Sequence, residues 1–357
     1  MREMKFIVGI AVMVLGASHA IASPVDDLRL DAWTRIDGAS LLSVAPDDGA
    51  GRAVRCVDGP SSVVSAWSGA AYDSRRHRLL VFGGGHRNYC GNEVYAFDVY
   101  ALAWARLTEP SPPPFDRDPL GDGAPASRHT YDGLQYSPRA DRMIAFGGSR
   151  STDGHETRLT WLFDPEARTW RNARPGGSPP GNGHAYNLSS AYDAATDRML
   201  MRDPRAIYAF DLAANTWTKL ADAPHTWSQQ RGAIDPTRRL YFTIGAGEFT
   251  VFDIDRQRDV TSEWSTQGGE GLIGAPAPGL DYDPDTDALV GWSGGAPYIL
   301  ALNGHRWTRG AATGAPATQQ AFGTFGRWRY VPDLHAFILV NAADAVYFYR
   351  PPPKSRQ

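Results

Sequence analysis

The side chains in this sequence that are best suited to chemistry are histidines, tyrosines and arginines placed close together along the chain. Arg128 and Tyr131 flank His129. Tyr186 follows His184 at the same spacing. Imidazole can accept a proton near neutral pH, a phenol can donate one, and a guanidinium pairs bidentately with a carboxylate. This combination favours chemistry on an acidic, oxygen-rich ligand.

The candidate site extends beyond these two clusters. The candidate catalytic residues are His86, His129, His184, Tyr131 and Tyr186. The candidate ligand-binding residues are Arg128, Arg231, Gln230, Tyr89, Asn92, Trp67 and Trp227. For any single residue, the alternative is an ordinary polar side chain that caps the end of a strand. We expect no metal or other cofactor, because the histidines lack the close spacing typical of a zinc site.

An internal repeat determines where these residues lie. In its fullest form, the unit contains an aromatic residue before a turn, an apolar strand ending near Gly-Gly, an aromatic strand ending in Phe-Asp, and a tryptophan strand. The first unit shows this order at 72–73, 78–84, 94–98 and 104–107. Six units begin 64, 56, 42, 48 and 48 residues apart. Four short strands per unit are typical of a propeller blade, so we predict an all-β propeller with six blades.

The two ends of the chain are expected to meet in the last blade. The sixth unit ends without its tryptophan strand, because prolines follow at 351–353. Near the N-terminus, Trp33 begins the same Trp-x-x-aliphatic pattern as Trp104. We predict that the strand containing Trp33 completes the last blade and closes the ring. Closure would remove the two unpaired sheet edges that an open ring exposes.

These repeated features resemble kelch repeats and, more broadly, the galactose-oxidase-like propeller superfamily. The features are the Gly-Gly after the second strand, the aromatic pair before the turn and the tryptophan about 20 residues later. The resemblance covers nearly the whole chain after its first residues. It implies a kelch-type propeller, and it leaves the function open because such propellers serve both as enzymes and as binding platforms.

Alternating strand direction assigns the loops of such a propeller to two faces. With strands a to d numbered outward from the channel, the b–c loops and the d-to-a connections share the upper face. Segments 108–127, 172–186, 221–229 and 265–279 are long upper connections. Long, varied loops on one face usually mark the binding face. The aromatic residues expected to stack on sugar rings at this mouth are Trp67, Trp227, Trp328 and Phe325.

The first residues are typical of an export signal. Arg2 and Lys5 precede an apolar run of about 11 residues, too short for a membrane span of roughly 20. Small residues then offer a cleavage point after Ala22. We predict a signal peptide over 1–22 and a single propeller domain over 23–357, secreted or periplasmic and without a membrane span; an uncleaved anchor is the alternative.

Export changes the interpretation of the cysteines. The chain has 2 cysteines, Cys56 and Cys90. In an oxidising compartment they are expected to form one disulfide, and two free thiols are the alternative. Both cysteines fall on the upper side, where a disulfide would hold the loop that carries His86.

Composition and the candidate residues together limit the function. A net charge of −3 argues against a nucleic-acid partner. One hypothesis is a lyase acting on a uronic-acid-containing polysaccharide, with arginine neutralising the carboxylate, histidine as base and tyrosine as acid. The other is a non-catalytic platform for a glycan or a protein, so enzymatic activity stays open.

A sugar mutarotase is a less favoured option. Copper-radical oxidation is disfavoured because a disulfide would consume both cysteines. We expect a monomer that binds a carbohydrate or another small or polymeric ligand.

Overall fold

A computed structural model describes residues 23–46, 56–181, 188–224 and 229–353 of the 357-residue chain. Six sheets, each with four antiparallel strands at its centre, form the blades. The inner strand of each blade contacts the inner strands of both neighbouring blades, so the six blades close into a ring around a central channel. The predicted all-β, six-bladed propeller is confirmed.

The strands of each blade are given from the channel outward. Blade 1 consists of Ala70–Asp73, Arg78–Phe82, Val94–Asp98 and Ala103–Arg106. Blade 2 consists of Leu134–Ser137, Arg142–Phe146, Thr160–Asp164 and Thr169–Asn172. Blade 3 consists of Ser189–Asp193, Arg198–Arg202, Ala206–Asp211 and Thr216–Asp222, with Gly176–Gly177 added in parallel at its outer edge.

The remaining blades follow the same order. Blade 4 consists of Arg231–Asp235, Leu240–Gly245, Glu248–Asp253 and Arg258–Asp259. Blade 5 consists of Gly279–Asp283, Ala288–Trp292, Tyr298–Ala301 and Trp307–Arg309. Blade 6 consists of Trp328–Val331, Ala336–Ala342, Ala345–Arg350 and Ala32–Ile36.

Helical structure in the described residues is confined to short turns on the connections. The α-helical turns are Ser62–Ser65 and Glu270–Ile273. The 3-10 turns are Leu41–Val44, Thr261–Glu263, Phe325–Arg327 and Pro332–Leu334. A two-stranded ribbon of Arg128–His129 and Ser149–Arg150 lies on the upper side of blade 2. Within the described ranges, no helix has the length and hydrophobicity needed to cross a bilayer.

The N-terminal strand closes the ring as predicted. Ala32–Ile36 pairs antiparallel with Ala345–Arg350, with Trp33 opposite Tyr349. The Trp33 ring packs against Trp292 of blade 5, with ring centroids 6.2 Å apart, and its indole N–H donates to the carbonyl of Ala311. The proposed signal peptide at 1–22 lies outside the described residues.

Tryptophans of the outer strands pack between blades. Trp170 contacts Phe82 of the preceding blade, and Trp217 contacts Phe146 in the same way. Trp307 likewise contacts Phe249 of blade 4. These indoles therefore fill the gaps between twisted sheets, where large aromatic side chains bury the most apolar area.

On the lower face, ion pairs connect the turns of neighbouring blades. Arg76 of blade 1 binds Asp141 of blade 2 at 2.7 Å, and Arg238 of blade 4 binds Asp287 of blade 5 at 2.6 Å. The hydrogen bonds from Arg76 hold the pKa of Asp141 well below its usual range. The repeated Tyr-Asp turns thus serve the fold, as their short and uniform length suggests.

Candidate functional site: the upper channel mouth

Equivalent residues of several blades form the upper mouth of the channel. One repeat position lies three residues before the aligned start of each inner strand, which is the second strand residue in blades 4 and 5. In blades 1, 2, 4, 5 and 6 it is occupied by Trp67, Tyr131, Gln229, Ala277 and Phe325. The counterpart in blade 3 lies outside the described residues. The backbone N–H of Tyr131 donates to the carbonyl of Trp67 at 2.7 Å, and that of Phe325 donates to Ala277 at 3.2 Å. These hydrogen bonds link successive blades around the mouth.

The backbone of this belt is in an unusual conformation. Trp67, Tyr131 and Phe325 have φ values of 47°, 47° and 50°. Residues with a Cβ rarely adopt this left-handed region, and they do so where the surrounding structure forces it. Here Tyr131, Ala277 and Phe325 are buried together, with Trp67 packed against them.

An aromatic stack rises from this cluster to the surface. The half-buried Trp67 ring lies between His129 and Phe322, with centroid distances of 4.7 Å and 3.7 Å. Phe322 is 40% exposed. The ring at the surface is therefore Phe322, which stacks on one face of Trp67, while the His129 ring contacts Trp67 at a tilt. Sequence reasoning missed Phe322 because it lies in an irregular connection with no repeat signal.

Arg327 fixes both sides of this stack. Its Nε donates to the carbonyl of Ser68 at 2.8 Å, and its Nη2 donates to the carbonyl of Gly323. These carbonyls directly follow Trp67 and Phe322 in the chain. Complete burial lowers the pKa of Arg327 to about 9. Among the described residues it has no carboxylate partner, so it positions backbone segments instead of forming an ion pair.

His129 is a buried, neutral imidazole at the base of the stack. Its Nε2 lies 3.1 Å from the backbone N of His86 and 3.0 Å from Oδ1 of Asn88. Burial, aided by the nearby His86, lowers the pKa of His129 to about 4. The ring fits here because Gly85 has no side chain: a Cβ on Gly85 would lie 2.3 Å from Nε2 of His129. The third glycine of the Gly83–Gly85 run therefore admits the imidazole.

The stability of the protein is expected to depend on pH through His129. Its pKa of about 4 in the folded chain lies below the value of 6.5 expected when unfolded. As pH falls from 6.5 to 4, the unfolded chain takes up the proton first, so the free energy of unfolding falls, by about 3 kcal/mol in total.

Urea denaturation at several pH values measures this effect, with the His129→Gln variant as control. Between pH 6.5 and 4, the free energy of unfolding of the variant is expected to fall less steeply with pH, because the contribution of His129 is lost. The contribution of the carboxylates should remain. Identical slopes in both proteins would contradict the assignment.

The opposite side of the mouth is polar. Asp132 is fully buried and accepts hydrogen bonds from the backbone N–H groups of Ser190 and Gly232 at 2.7 Å and 3.0 Å. Nη1 of Arg231 lies 2.9 Å from Oδ1 of Asp132. Burial raises the pKa of Asp132, while the guanidiniums of Arg231 and Arg329 oppose that rise. This network joins blades 2, 3 and 4.

Part of the Arg231 guanidinium has no hydrogen-bond partner among the described residues. Its Nη1 is used by Asp132 and by the carbonyl of Ser190, whereas its buried Nε and Nη2 meet no hydrogen-bond partner in the described part of the chain. The neighbouring Gln230 donates to Glu248 at 2.8 Å, and its buried Oε1 likewise has no described partner. Nε and Nη2 form the edge with which arginine binds a carboxylate bidentately.

Three of the predicted ligand-binding residues are engaged by the protein itself. Arg128 is buried and binds Asp118 at 2.8 Å. Tyr89 donates to the buried Glu93 at 2.6 Å. The amide of Asn92 binds Ser111 and so anchors the 108–127 connection.

The remaining predicted residues are placed as follows. Trp328, expected to stack on a ligand, is fully buried and packs on Phe337, with ring centroids 4.8 Å apart. His86 is exposed at the rim. Three further site residues fall outside the described residues: His184, Tyr186 and Trp227.

The predicted disulfide is confirmed and borders the site. Cys56 and Cys90 are joined with their Cα atoms 5.6 Å apart. Backbone hydrogen bonds from Val57 to the Arg87 carbonyl and from Asp58 to the Asn88 carbonyl run alongside it. Both features hold the loop that presents His86 and Asn88 to His129. In the described ranges, no group of three His, Cys, Asp or Glu side chains is placed to hold a metal ion.

Comparison with known proteins agrees on the fold and gives no family. No family model matches the chain. Acyl-CoA-binding domain-containing protein 4 of Arabidopsis thaliana is 23% identical over 216 residues, which are 57% of this chain and 31% of that protein. The chain thus spans about a third of that relative. A chain in the crystal structure of a mitotic checkpoint complex has a TM-score of 0.52 at 10% identity, over 97% of this chain and 99% of that one. Fold and closure together define the protein as a six-bladed β-propeller.

Proposed function

We propose that the upper channel mouth binds a carbohydrate ligand that carries an acidic group. The main support for this proposal is that one side of the mouth is aromatic and the other side is polar. Blades 6, 1 and 2 supply aromatic rings, among them Trp67 and Phe322. Blade 4 supplies the Nε–Nη2 edge of Arg231, which is buried and lacks a partner among the described residues.

Each half suits one part of such a ligand. Aromatic rings pack against the apolar C–H faces of sugars, and the exposed ring of Phe322 offers such a surface. A buried guanidinium edge without an acceptor is costly, and a ligand carboxylate would satisfy both of its N–H groups. A kelch-type propeller that is exported would meet such glycans outside the cytoplasm, and the Cys56–Cys90 disulfide suits an oxidising compartment.

Binding without turnover is better supported than β-elimination. For elimination, His129 would act as base and Tyr131 as acid. His129 is neutral at pH 7, as a base must be, but a pKa of about 4 makes it a weak acceptor of a carbon-bound proton. Its Nε2 is also in contact with the backbone N of His86. The hydroxyl of Tyr131 lies 3.3 Å from Oγ of Ser149.

Calorimetric titration with uronic-acid polysaccharides and their neutral counterparts tests the proposal. We expect the acidic glycans to bind and Trp67→Ala to weaken them about tenfold, because it removes the centre of the aromatic stack. Arg231→Lys keeps the charge but loses the bidentate edge, and it should weaken only the acidic glycans. Tyr100→Ala removes an exposed aromatic ring elsewhere and should change nothing.

Three results decide between the hypotheses. Absence of binding across the panel would remove the proposed function. Equal affinity for acidic and neutral glycans would remove the role of Arg231. Appearance of the ultraviolet absorbance of unsaturated uronates during incubation would establish elimination in place of simple binding.

A further inference from the structure

The lower end of the channel contains a second cavity that the upper site does not use. Its volume is about 230 Å³, and it opens between the exposed turn residues Ser74 and Ala194. When the six inner strands are aligned, one equivalent position is occupied by Ala71, Gln135, Ala191, Ala233, Asp281 and Arg329. Alanines at 191 and 233 leave the channel unfilled on one side, and polar groups line the other.

Arg329 forms the inner end of this cavity. Its Nη2 crosses the channel and donates to the carbonyls of Ala70 and Leu134 at 2.9 Å and 3.2 Å and to Oε1 of Gln135 at 3.2 Å. Its Nε donates to the carbonyl of Gly326. Nη1 donates to none of the described residues, and no described carboxylate lies within ion-pair distance of Arg329, although the charges of Asp281 and Asp132 act on it at longer range. The guanidinium therefore keeps one donor group for a ligand.

Asp281 provides the opposite charge in the same cavity. Its two carboxylate oxygens accept the backbone N–H groups of Tyr282 and Tyr330 at 3.0 Å and 3.1 Å. No described arginine, lysine or histidine forms an ion pair with it, whereas Asp141 on the same face is paired with Arg76. The half-buried carboxylate is thus anchored by the backbone. It forms no direct ion pair among the described residues, and its charge attracts the Arg329 guanidinium at longer range.

Aromatic side chains form the wall around these two charges. Tyr72, Tyr136 and Tyr192 occupy the same position of three successive inner strands and line the cavity. The hydroxyls of Tyr136 and Tyr192 each donate to a turn aspartate at 2.7 Å, so these rings are fixed. The buried hydroxyl of Tyr72 has no hydrogen-bond partner in the described residues and remains as a further polar group.

We propose that the lower cavity binds a small zwitterion of amino-acid size. Its ammonium group pairs with Asp281, and its carboxylate accepts a hydrogen bond from Nη1 of Arg329. A ligand with one charge would contact only one of these two groups and would compete with their mutual attraction, whereas a zwitterion contacts both. The small side chains at 191 and 233 leave room for the side chain of the ligand.

Titration calorimetry of the whole chain tests this assignment. The zwitterionic probes are L-alanine, L-serine and L-leucine, and the singly charged probes are propionate and propylamine. We expect at least one zwitterion to bind about tenfold or more tightly than either singly charged probe, since each charged contact adds to the affinity. Asp281→Asn should weaken the zwitterion about tenfold because it removes the ammonium contact, and it should not weaken propionate, which has no such contact.

Two further variants keep the result decisive. Ala191→Leu fills the cavity without changing charge and should abolish binding. This variant replaces Asp281→Asn as the test if circular dichroism shows that Asp281→Asn does not fold. Trp67→Ala alters the upper mouth and should leave zwitterion binding intact, so failure here and failure of the proposed glycan site are distinguishable. The proposal is overturned if no probe binds, if singly charged probes bind equally well, or if a folded Asp281→Asn protein binds the zwitterion as tightly as before.

Discussion

Replacing Asp132 by asparagine is expected to lower the free energy of unfolding by about 3–5 kcal/mol, as found when one partner of a buried ion pair is removed. Asp132 and the Arg231 side chain are both fully buried, with Nη1 of Arg231 2.9 Å from Oδ1. The asparagine would leave the guanidinium charged, desolvated and without its counter-ion. The substitution would also weaken the caps on the N–H groups of Ser190 and Gly232.

Urea denaturation followed by tryptophan fluorescence measures this loss. Asp281→Asn is the matched control, because it makes the same substitution in the channel at a half-buried residue without a described ion pair. We expect the control to lose less, about 1 kcal/mol, because it weakens hydrogen bonds to backbone N–H groups but breaks no direct ion pair. Equal losses in the two variants would show that the Arg231 pair does not stabilise the channel.

Removing both charges should cost less than removing one. The double variant Asp132→Leu with Arg231→Met replaces the pair by apolar side chains of similar volume, which is often neutral for buried pairs. In this protein the N–H groups of Ser190 and Gly232 would still lose their acceptor. The double variant should therefore fall between the wild-type protein and Asp132→Asn.

The sequence was sufficient to predict the ring because its signals are local and repeated. Each Tyr-Asp turn and each tryptophan strand marks a blade independently, so one degenerate unit does not hide the others. The incomplete sixth unit and the matching segment at Trp33 together predicted the closure that the strand pairing confirms. The disulfide followed from the presence of only 2 cysteines in a chain with an export-like start.

The site was less predictable because its contacts are made by residues outside the repeat. Topology placed His129, Tyr131 and Trp67 near one mouth, and the aromatic contacts agree with that placement. It could not show that Asp118, within an irregular proline-rich connection, neutralises Arg128. The same holds for Asp132, whose equivalents in the other blades have different side chains.

Departures from the repeat are the most informative residues of this propeller. Where a repeat position keeps its type, as with Tyr136 and Tyr192, the side chain binds a turn aspartate and serves the fold. Where one blade departs, as at Asp281 and Arg329 among uncharged residues, a charged group lines the channel without a direct ion pair in the described part of the chain. Both proposed binding sites are built from such departures, one at each end of the same channel.

Replacing Trp33 by alanine is expected to destabilise the protein by about 3–5 kcal/mol, the usual cost of truncating a buried tryptophan. The indole packs on Trp292 and Trp328 and donates to the carbonyl of Ala311. The effect should also spread, because the strand Ala32–Ile36 is held to blade 6 by non-covalent contacts with the far end of the chain. If that strand detaches, the edge of Ala345–Arg350 is exposed.

Trp217→Ala separates the closure effect from the loss of a large ring. Trp217 is also a buried tryptophan on an outer strand, but Thr216–Asp222 follows its neighbour Ala206–Asp211 directly in the chain. Hydrogen exchange should therefore show lost protection across Ala345–Arg350 in Trp33→Ala, and only local changes in Trp217→Ala. Similar local patterns in both variants would mean that the ring stays closed without Trp33. Closure would then rest on the backbone pairing of Ala32–Ile36 and on hydrogen bonds beside it, such as that from Tyr349 to Asp31, because these contacts remain when the indole is removed.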